Sequence, residues 1–461
     1  MHGITWQRLA PHLRDLGRQA APVVLARSGV MLLALVDTVA VGRFAADELA
    51  VLGLALALVT MLLLAGIGLL MGTLIVTATE YGAGRLAACG VVWRRSLVYA
   101  SGLGVMMAVV CGFGEPILRL FGQSPDLAAR AGPVVQILGL GLAPQLIFVT
   151  TQYFLEGIRR PEPGMLLMLA ANILNAGLDV VLVFGHLGLP ALGALGSAWA
   201  TTLVRLFLAL GALLYVAGMT ERHRFFPADG SDGDAPPAAV QRHMGYAAGV
   251  SIGIEGLAFN SLGLIAGWLG ELPLAAFTIG LNLIAFIFML PVGLGAATAV
   301  QVGAATGRGD RADAALAGWA GLAVCLMVML VIATVFKVLA PNIGAFYSSD
   351  PALRHVLDPV LAVLTFVIVV DGGQGVMVNA VRGHGDTWTA TALTALSFLV
   401  LMLPAAWLLA VEIGRGVSGL FEATLIGCTV ALVALAWRFR ALTRASHGSG
   451  RRPLPIGRAS D

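Results

Sequence analysis

The chain has 461 residues, of which 58% are hydrophobic and only 11% charged, less than half the charged share of a typical soluble domain. That balance excludes a water-soluble fold, and a formal net charge of +3 leaves no nucleic-acid footprint. Lipid forces each backbone N–H and C=O to pair within its own segment, so only helices or closed barrels span it. Unbroken apolar runs such as 51–76 select helices, because barrel strands alternate apolar and polar positions.

A basic prefix comes first. Trp6, Leu9, Leu13 and Leu16 fall on one helical face, so residues 1–19 read as a cytoplasmic amphipathic segment. Twelve stretches of spanning length follow, near 20–42, 50–76, 96–114, 131–155, 165–184, 191–218, 245–268, 274–303, 314–339, 355–381, 389–410 and 416–437. The first is full length and carries Asp37, unlike the short core of a cleavable signal. Residues 221–243 are polar, with two acidic-glycine repeats and Pro236-Pro237, and divide the spans into two groups of six. The expected organisation is an N-lobe over 20–220, a cytoplasmic linker over 221–243, a C-lobe over 244–440 and a basic cytoplasmic tail over 441–461. Twenty-one of the 28 Lys and Arg fall with the termini and the even-numbered helix ends, and six fall opposite. Basic residues accumulate on the cytoplasmic side, so both termini are expected there, in a bacterial inner membrane.

The halves echo each other. At an offset of 223, residues 68–85 lie on 291–308, matching Gly72 with Gly295 and Gly84-Arg85 with Gly307-Arg308. At an offset of 226, Glu156-Gly157 lies on Arg382-Gly383. Parallel repeats of this kind place a substrate site near the midplane.

Charges inside spans carry the functional information. A carboxylate at a helix centre costs about 2.5–3.5 kcal/mol on the insertion scale, so it faces protein or water. Asp37, Asp179, Glu255 and Asp371 all qualify, two in each half. Asn175 sits four residues before Asp179, on the same face, and its amide oxygen suits a hard-cation site beside Asp37 and Asp179. Burial disfavours the charged carboxylate and a nearby cation favours it, so such groups can bind H⁺ or Na⁺. Arg205 and Glu422 read as a buried partner and an interfacial residue, and Glu80 and Lys337 as snorkelling charges near span ends. Cys89, Cys111, Cys325 and Cys428 are scattered and read as small apolar fillers. There is no Walker A motif, and the common zinc-protease and serine-hydrolase signatures are missing. No enzyme activity, cofactor, ATP or nucleic acid is expected beyond the coupling ion.

In order and spacing, the polar positions resemble the multidrug and toxic compound extrusion (MATE) family over residues 20–440. The fragments are Pro22 with Val36-Asp37-Thr38 and Gly42, Tyr81 to Arg85, Glu156-Gly157, Asn175, and Ala200-Thr201. In the second half they are Glu255, Ile279 to Asn282, Met289-Leu290-Pro291, Val302-Gly303, Asp371 and Arg382 to Thr387. The resemblance implies an all-α membrane protein whose two pseudo-symmetric six-helix lobes form a V and alternate access by rocking. It implies an N-lobe cation site at Asp37, Asn175, Asp179 and Thr201, and C-lobe carboxylates at Glu255 and Asp371, as in the norfloxacin-extruding type. The chain departs from the family at Arg27, where glutamine is common, at Phe277-Thr278, and at Asp179, often asparagine in norfloxacin-type members.

The expected function is a monomeric antiporter that exports amphipathic organic cations or drugs against inward Na⁺ or H⁺. Asn282, Phe259, Phe286 and Phe288 are the candidates for lining the substrate pocket. The nearest alternative is a flippase for lipid-linked saccharides, which needs cavity cations for phosphate; only Arg27 and Arg205 lie inside spans. An intramembrane prenyl-phosphate transferase would need acid-rich Mg²⁺ motifs, for which 310–313 is the one loop candidate.

Overall fold

The computed structural model describes residues 6–227, 235–347 and 350–444, with side chains from His12 onward. Most of the expected basic tail, the centre of the linker and the side chains of Trp6 and Leu9 lie outside the described residues. Within them every regular element is a helix, and twelve helices are long and apolar enough to cross a membrane. They are α1 (Trp6–Phe44), α2 (Ala46–Gly82), α3 (Leu86–Gly112), α4 (Pro125–Gly157), α5 (Glu162–Phe184) and α6 (Ala194–Ala217) in the first half. The second half holds α7 (Ala238–Leu269), α8 (Glu271–Gly307), α9 (Arg311–Tyr347), α10 (Pro351–Gly383), α11 (Thr387–Glu412) and α12 (Gly416–Arg444).

Most of the helices overshoot the apolar stretches that announce them. Hydropathy marks only the part that crosses lipid, whereas helical hydrogen bonding continues wherever neighbouring protein covers the ends. The C-terminal turns of α2 bury Thr77, Ala78 and Glu80, and the N-terminal turns of α3 bury Cys89 to Val92. Glu80 therefore does not snorkel. It is 2% exposed and accepts two hydrogen bonds from the Arg85 guanidinium, at 2.5 and 2.9 Å. The paired geometry repays part of what burying a carboxylate costs.

Two helices are interrupted. α4 consists of Pro125–Leu140 and Leu142–Gly157, separated at Gly141. An interruption frees carbonyls that hydrocarbon cannot satisfy. Here α6 supplies the donors: Thr202 Oγ1 donates to Ile137 O at 2.9 Å and Arg205 Nη1 to Leu138 O at 3.1 Å. A Cβ on Gly141 would sit 3.0 Å from Arg205 Cδ and 3.1 Å from the Thr202 hydroxyl, so glycine makes room for both. In α11, wide π turns at Leu396–Met402 and Leu408–Glu412 flank a short α segment carrying Pro404, whose ring removes one donor from the ladder.

By internal contacts the chain forms two units. One runs from Leu25 to Gly249; the other joins the start of α1, up to Val24, to the chain from Val250 onward. The chain thus passes between units inside α1 and again inside α7, at positions 225 residues apart, close to the offsets of the sequence echo. Leu16 and Ala20 lie buried among Ala258, Leu262 and Phe277. In the other unit, the first turns of α7 lie backbone against backbone on α2. A Cβ on Gly72 would overlap the Gln241 carbonyl, and one on Gly245 the Leu69 carbonyl. The described start of the linker is packed too: Phe225 is buried with Phe154 and Val216, and Phe226 stands 5.3 Å from the Trp93 ring.

Candidate functional site

In the first unit, four polar side chains from three helices converge. Asn175 and Asp179 lie one turn apart on α5, and Thr201 faces them from α6. Asn175 Nδ2 donates to Asp37 Oδ1 at 2.7 Å and to Asp179 Oδ2 at 2.9 Å. Thr201 Oγ1 donates to Asp37 Oδ2 at 2.8 Å. Asp37 is 4% exposed, and Asn175 and Asp179 are 1% each. One amide thus spans two carboxylates, which fixes its orientation, since only the nitrogen can donate to both. The accounting leaves Asn175 Oδ1 and Asp179 Oδ1 buried with no hydrogen-bond donor. Orphaned buried acceptors are costly, and beside two acids they are what a proton or an oxygen-seeking cation would satisfy.

Arg205 follows Thr201 by one turn of α6 and interacts electrostatically with Asp37. It is half-buried, where its position inside a span suggested a buried partner. The other arginine that the sequence places inside a span, Arg27 on α1, puts Nη2 3.8 Å from Glu156 Oε1 and its guanidinium 5.6 Å from the Tyr153 ring centre.

The second unit buries acid differently. Asp371 on α10 is 3% exposed and accepts a long hydrogen bond from Cys428 Sγ on α12, at 3.5 Å. Glu255 on α7 is partly exposed and interacts electrostatically with both Asp371 and Arg382. The two acids therefore feel each other, without the shared donor seen in the first unit. Cys428 is the neighbour that sequence reading missed. It was read as an apolar filler, and one thiol among apolar residues carries no signal that a carboxylate will face it.

The four pocket candidates separate into two pairs. Phe259 lies edge-on to Phe398 at 6.2 Å, and the Phe288 ring sits 3.3 Å from where a Cβ on Gly375 would be. Both are packed between helices. Asn282 and Phe286, one turn apart on α8, are exposed, Phe286 at 72%. Glu422 is tied to Arg415 at 2.5 Å near the start of α12. Among the described residues, no group of three or more His, Cys, Asp or Glu is arranged to hold a metal.

Comparison with known proteins gives a consistent result. The family model described as MatE matches residues 22–181 and 248–408, one copy in each half. The chain is 37% identical over 431 residues to a probable multidrug resistance protein NorM of Caulobacter vibrioides, covering 93% of this chain and 92% of that protein. It is 29% identical to the multidrug resistance protein PmpM of Pseudomonas aeruginosa, covering 94% and 92%. Among solved structures, an outward-facing multidrug resistance MATE transporter of the MOP superfamily superposes with a TM-score of 0.85 at 21% identity, covering 96% of this chain and 99% of that one. A second, a MOP superfamily transporter of Pyrococcus furiosus whose binding pocket is described as reversed in polarity, also gives 0.85 at 21% identity, covering 94% and 97%.

Proposed function

Because the chain belongs to the MatE family, whose members are membrane transporters rather than enzymes, we propose that it is a secondary active antiporter exporting amphipathic organic cations in exchange for Na⁺ or H⁺. The observation that carries this reading is the buried cluster of Asp37, Asn175, Asp179 and Thr201, with two of its oxygens lacking donors. In an apolar span such a cluster is costly, and a cation or proton that completes it lowers that cost. The names of the relatives, multidrug resistance proteins, support a drug-like cargo. The norfloxacin type is supported by Glu255 and Asp371 in the second half.

Exchange follows from competition for the same negative charge. An ion shifts the access equilibrium only through unequal affinity for the two states, and its coupling to the drug is reciprocal. Na⁺ or H⁺ entering the acids then favours release of the cationic drug, and drug binding favours release of the ion. Adding Na⁺ or lowering pH should weaken drug affinity in detergent, where no gradient exists. The flippase alternative loses support because the two arginines that the sequence places inside spans are already engaged, Arg27 with Glu156 at 3.8 Å and Arg205 with the Leu138 carbonyl at 3.1 Å.

The test is efflux of a fluorescent organic cation from energised vesicles, with Na⁺ and pH gradients imposed separately. Gradient-driven efflux that disappears in Asp37→Asn supports the reading. Efflux indifferent to both gradients overturns it.

A further inference from the structure

Several arginines near helix ends in this protein are matched by acids. Arg85 pairs with Glu80, Arg130 with Asp47 and Glu48, and Arg438 with Asp386. Arg95 and Arg242 are different. They line one small cavity of about 40 Å³ between α2, α3 and the first turns of α7, and none of its lining residues is acidic. Arg95 gives one hydrogen bond to the Pro236 carbonyl, at 2.9 Å. Neither guanidinium has a carboxylate partner among the described residues.

The rest of the cavity is prepared rather than empty of structure. Its floor is closed: Gln241 Nε2 donates to Thr73 Oγ1 at 3.1 Å and to Ser96 Oγ, so these groups satisfy one another. Tyr99 also lines the cavity and interacts electrostatically with Tyr246 and Arg242. The glycine contacts at Gly72 and Gly245 hold the α7 wall against α2 without side chains between them. α7 contributes its N-terminal end, which favours negative charge. Beside the cavity, Val98 is 76% exposed and Tyr246 44% exposed, an apolar surface with an aromatic at its edge, as at a membrane interface.

Depth fits as well. α3 has 27 residues, about 40 Å of helix against a hydrocarbon core of about 30 Å. The long apolar stretch of α3 begins near residue 96, directly after Arg95, which therefore falls near the polar boundary. That boundary is on the side which the basic residues mark as cytoplasmic, where the leaflet carries anionic lipid.

We propose that the cavity between α2, α3 and the start of α7 binds the phosphate of an anionic phospholipid, held by Arg95 and Arg242. The lipid phosphate supplies the negative charge that no side chain among the described residues provides, and the acyl chains run over the exposed apolar face.

The experiment uses the full chain, purified and placed in phosphatidylcholine nanodiscs, titrated with phosphatidylglycerol and read by native mass spectrometry of retained lipid. The Arg95→Gln/Arg242→Gln double variant should weaken retention of one phosphatidylglycerol roughly 30-fold, from about 1 kcal/mol for each basic residue. Arg95→Lys/Arg242→Lys should keep most of it. Arg242→Glu, at an exposed position, gives a variant whose folding is not in question and should also lose the lipid. Inorganic phosphate should neither displace the lipid nor match its affinity. The proposal falls if the folded Gln and Glu variants retain phosphatidylglycerol like the wild type. It falls too if phosphatidylcholine binds equally well, or if free phosphate competes on equal terms.

Discussion

In the first half, Asp37 and Asp179 share one amide, Asn175, as a common donor, and a hydroxyl completes the cluster. In the second half, Asp371 has only a thiol at 3.5 Å, and Glu255 makes no hydrogen bond among the described residues. The same fold unit, repeated, thus buries acid once in a tight network and once nearly bare. Networks bind a small ion through many fixed contacts, whereas isolated acids act through longer-range charge. Under the proposed exchange mechanism, the difference would give the firmer, more selective ion site to the first half and the softer one to the second.

The largest expected effect is at Asp37. Asp37→Asn puts an amide against the Asn175 amide and the Thr201 hydroxyl, and coupled vesicle efflux should fall to background while expression and monodispersity stay near wild type. Wild-type efflux by the folded variant would break the comparison. Next come two double-mutant cycles on apparent ion affinity. Asp37 with Asn175 should show an interaction energy in the upper part of the usual range of about 0.5–3 kcal/mol for residues sharing a network. Glu255 with Asp371 should show a smaller but nonzero one. Equal coupling in both halves would erase the distinction, and strict additivity at Glu255 and Asp371 would separate those two acids altogether.

A smaller change is expected at Cys428. A thiol is a weak donor and a hydroxyl a strong one, so Cys428→Ser should shift apparent ion affinity a few-fold, and Cys428→Ala in the opposite direction. If both leave it unchanged, the thiol contact has no bearing on the site. The smallest effect concerns His384, in the turn after α10, a position without a counterpart in the first half's acid network. Burial, reinforced by Arg311 and Arg438, holds its imidazole below the ordinary value of 6.5. An unfolded chain takes up a proton there before the folded one does. The associated stability is complete above the unfolded value and lost as pH falls below it. His384→Asn should flatten the decline in Tm between about pH 6.5 and pH 5 in detergent, measured by thermal unfolding.

Much of this was legible before any coordinates. The twelve spans follow from hydropathy because lipid leaves no alternative to helix, and the acids stood out because each breaks an apolar run. Asn175 and Asp179 could be placed on one face from their spacing alone. The break in α4 could not, because Gly141 is one of 58 glycines and only the arrival of Thr202 and Arg205 gives it meaning. Nor could the burial of Glu80, whose partner Arg85 lies beyond the end of the helix. Hydropathy likewise placed the start of α3 near residue 96, ten residues late, because Arg94-Arg95 interrupt the apolar run and cut off the short apolar stretch 86–93 before them.

The passage of the chain between units inside α1 and α7 has a consequence for biosynthesis. The first unit is not complete when its sixth helix has been inserted. It still lacks residues 238–249, whose glycine-mediated seat on α2 is part of its packing. The opening turns of α1, for their part, are made first and find their partners last, since Leu16 and Ala20 pack with residues beyond Val250. A nascent chain must therefore keep its first helix half-docked through the synthesis of six further spans. Two fragments divided within 228–234 would each carry a piece of the other's core, so they should assemble only when produced together.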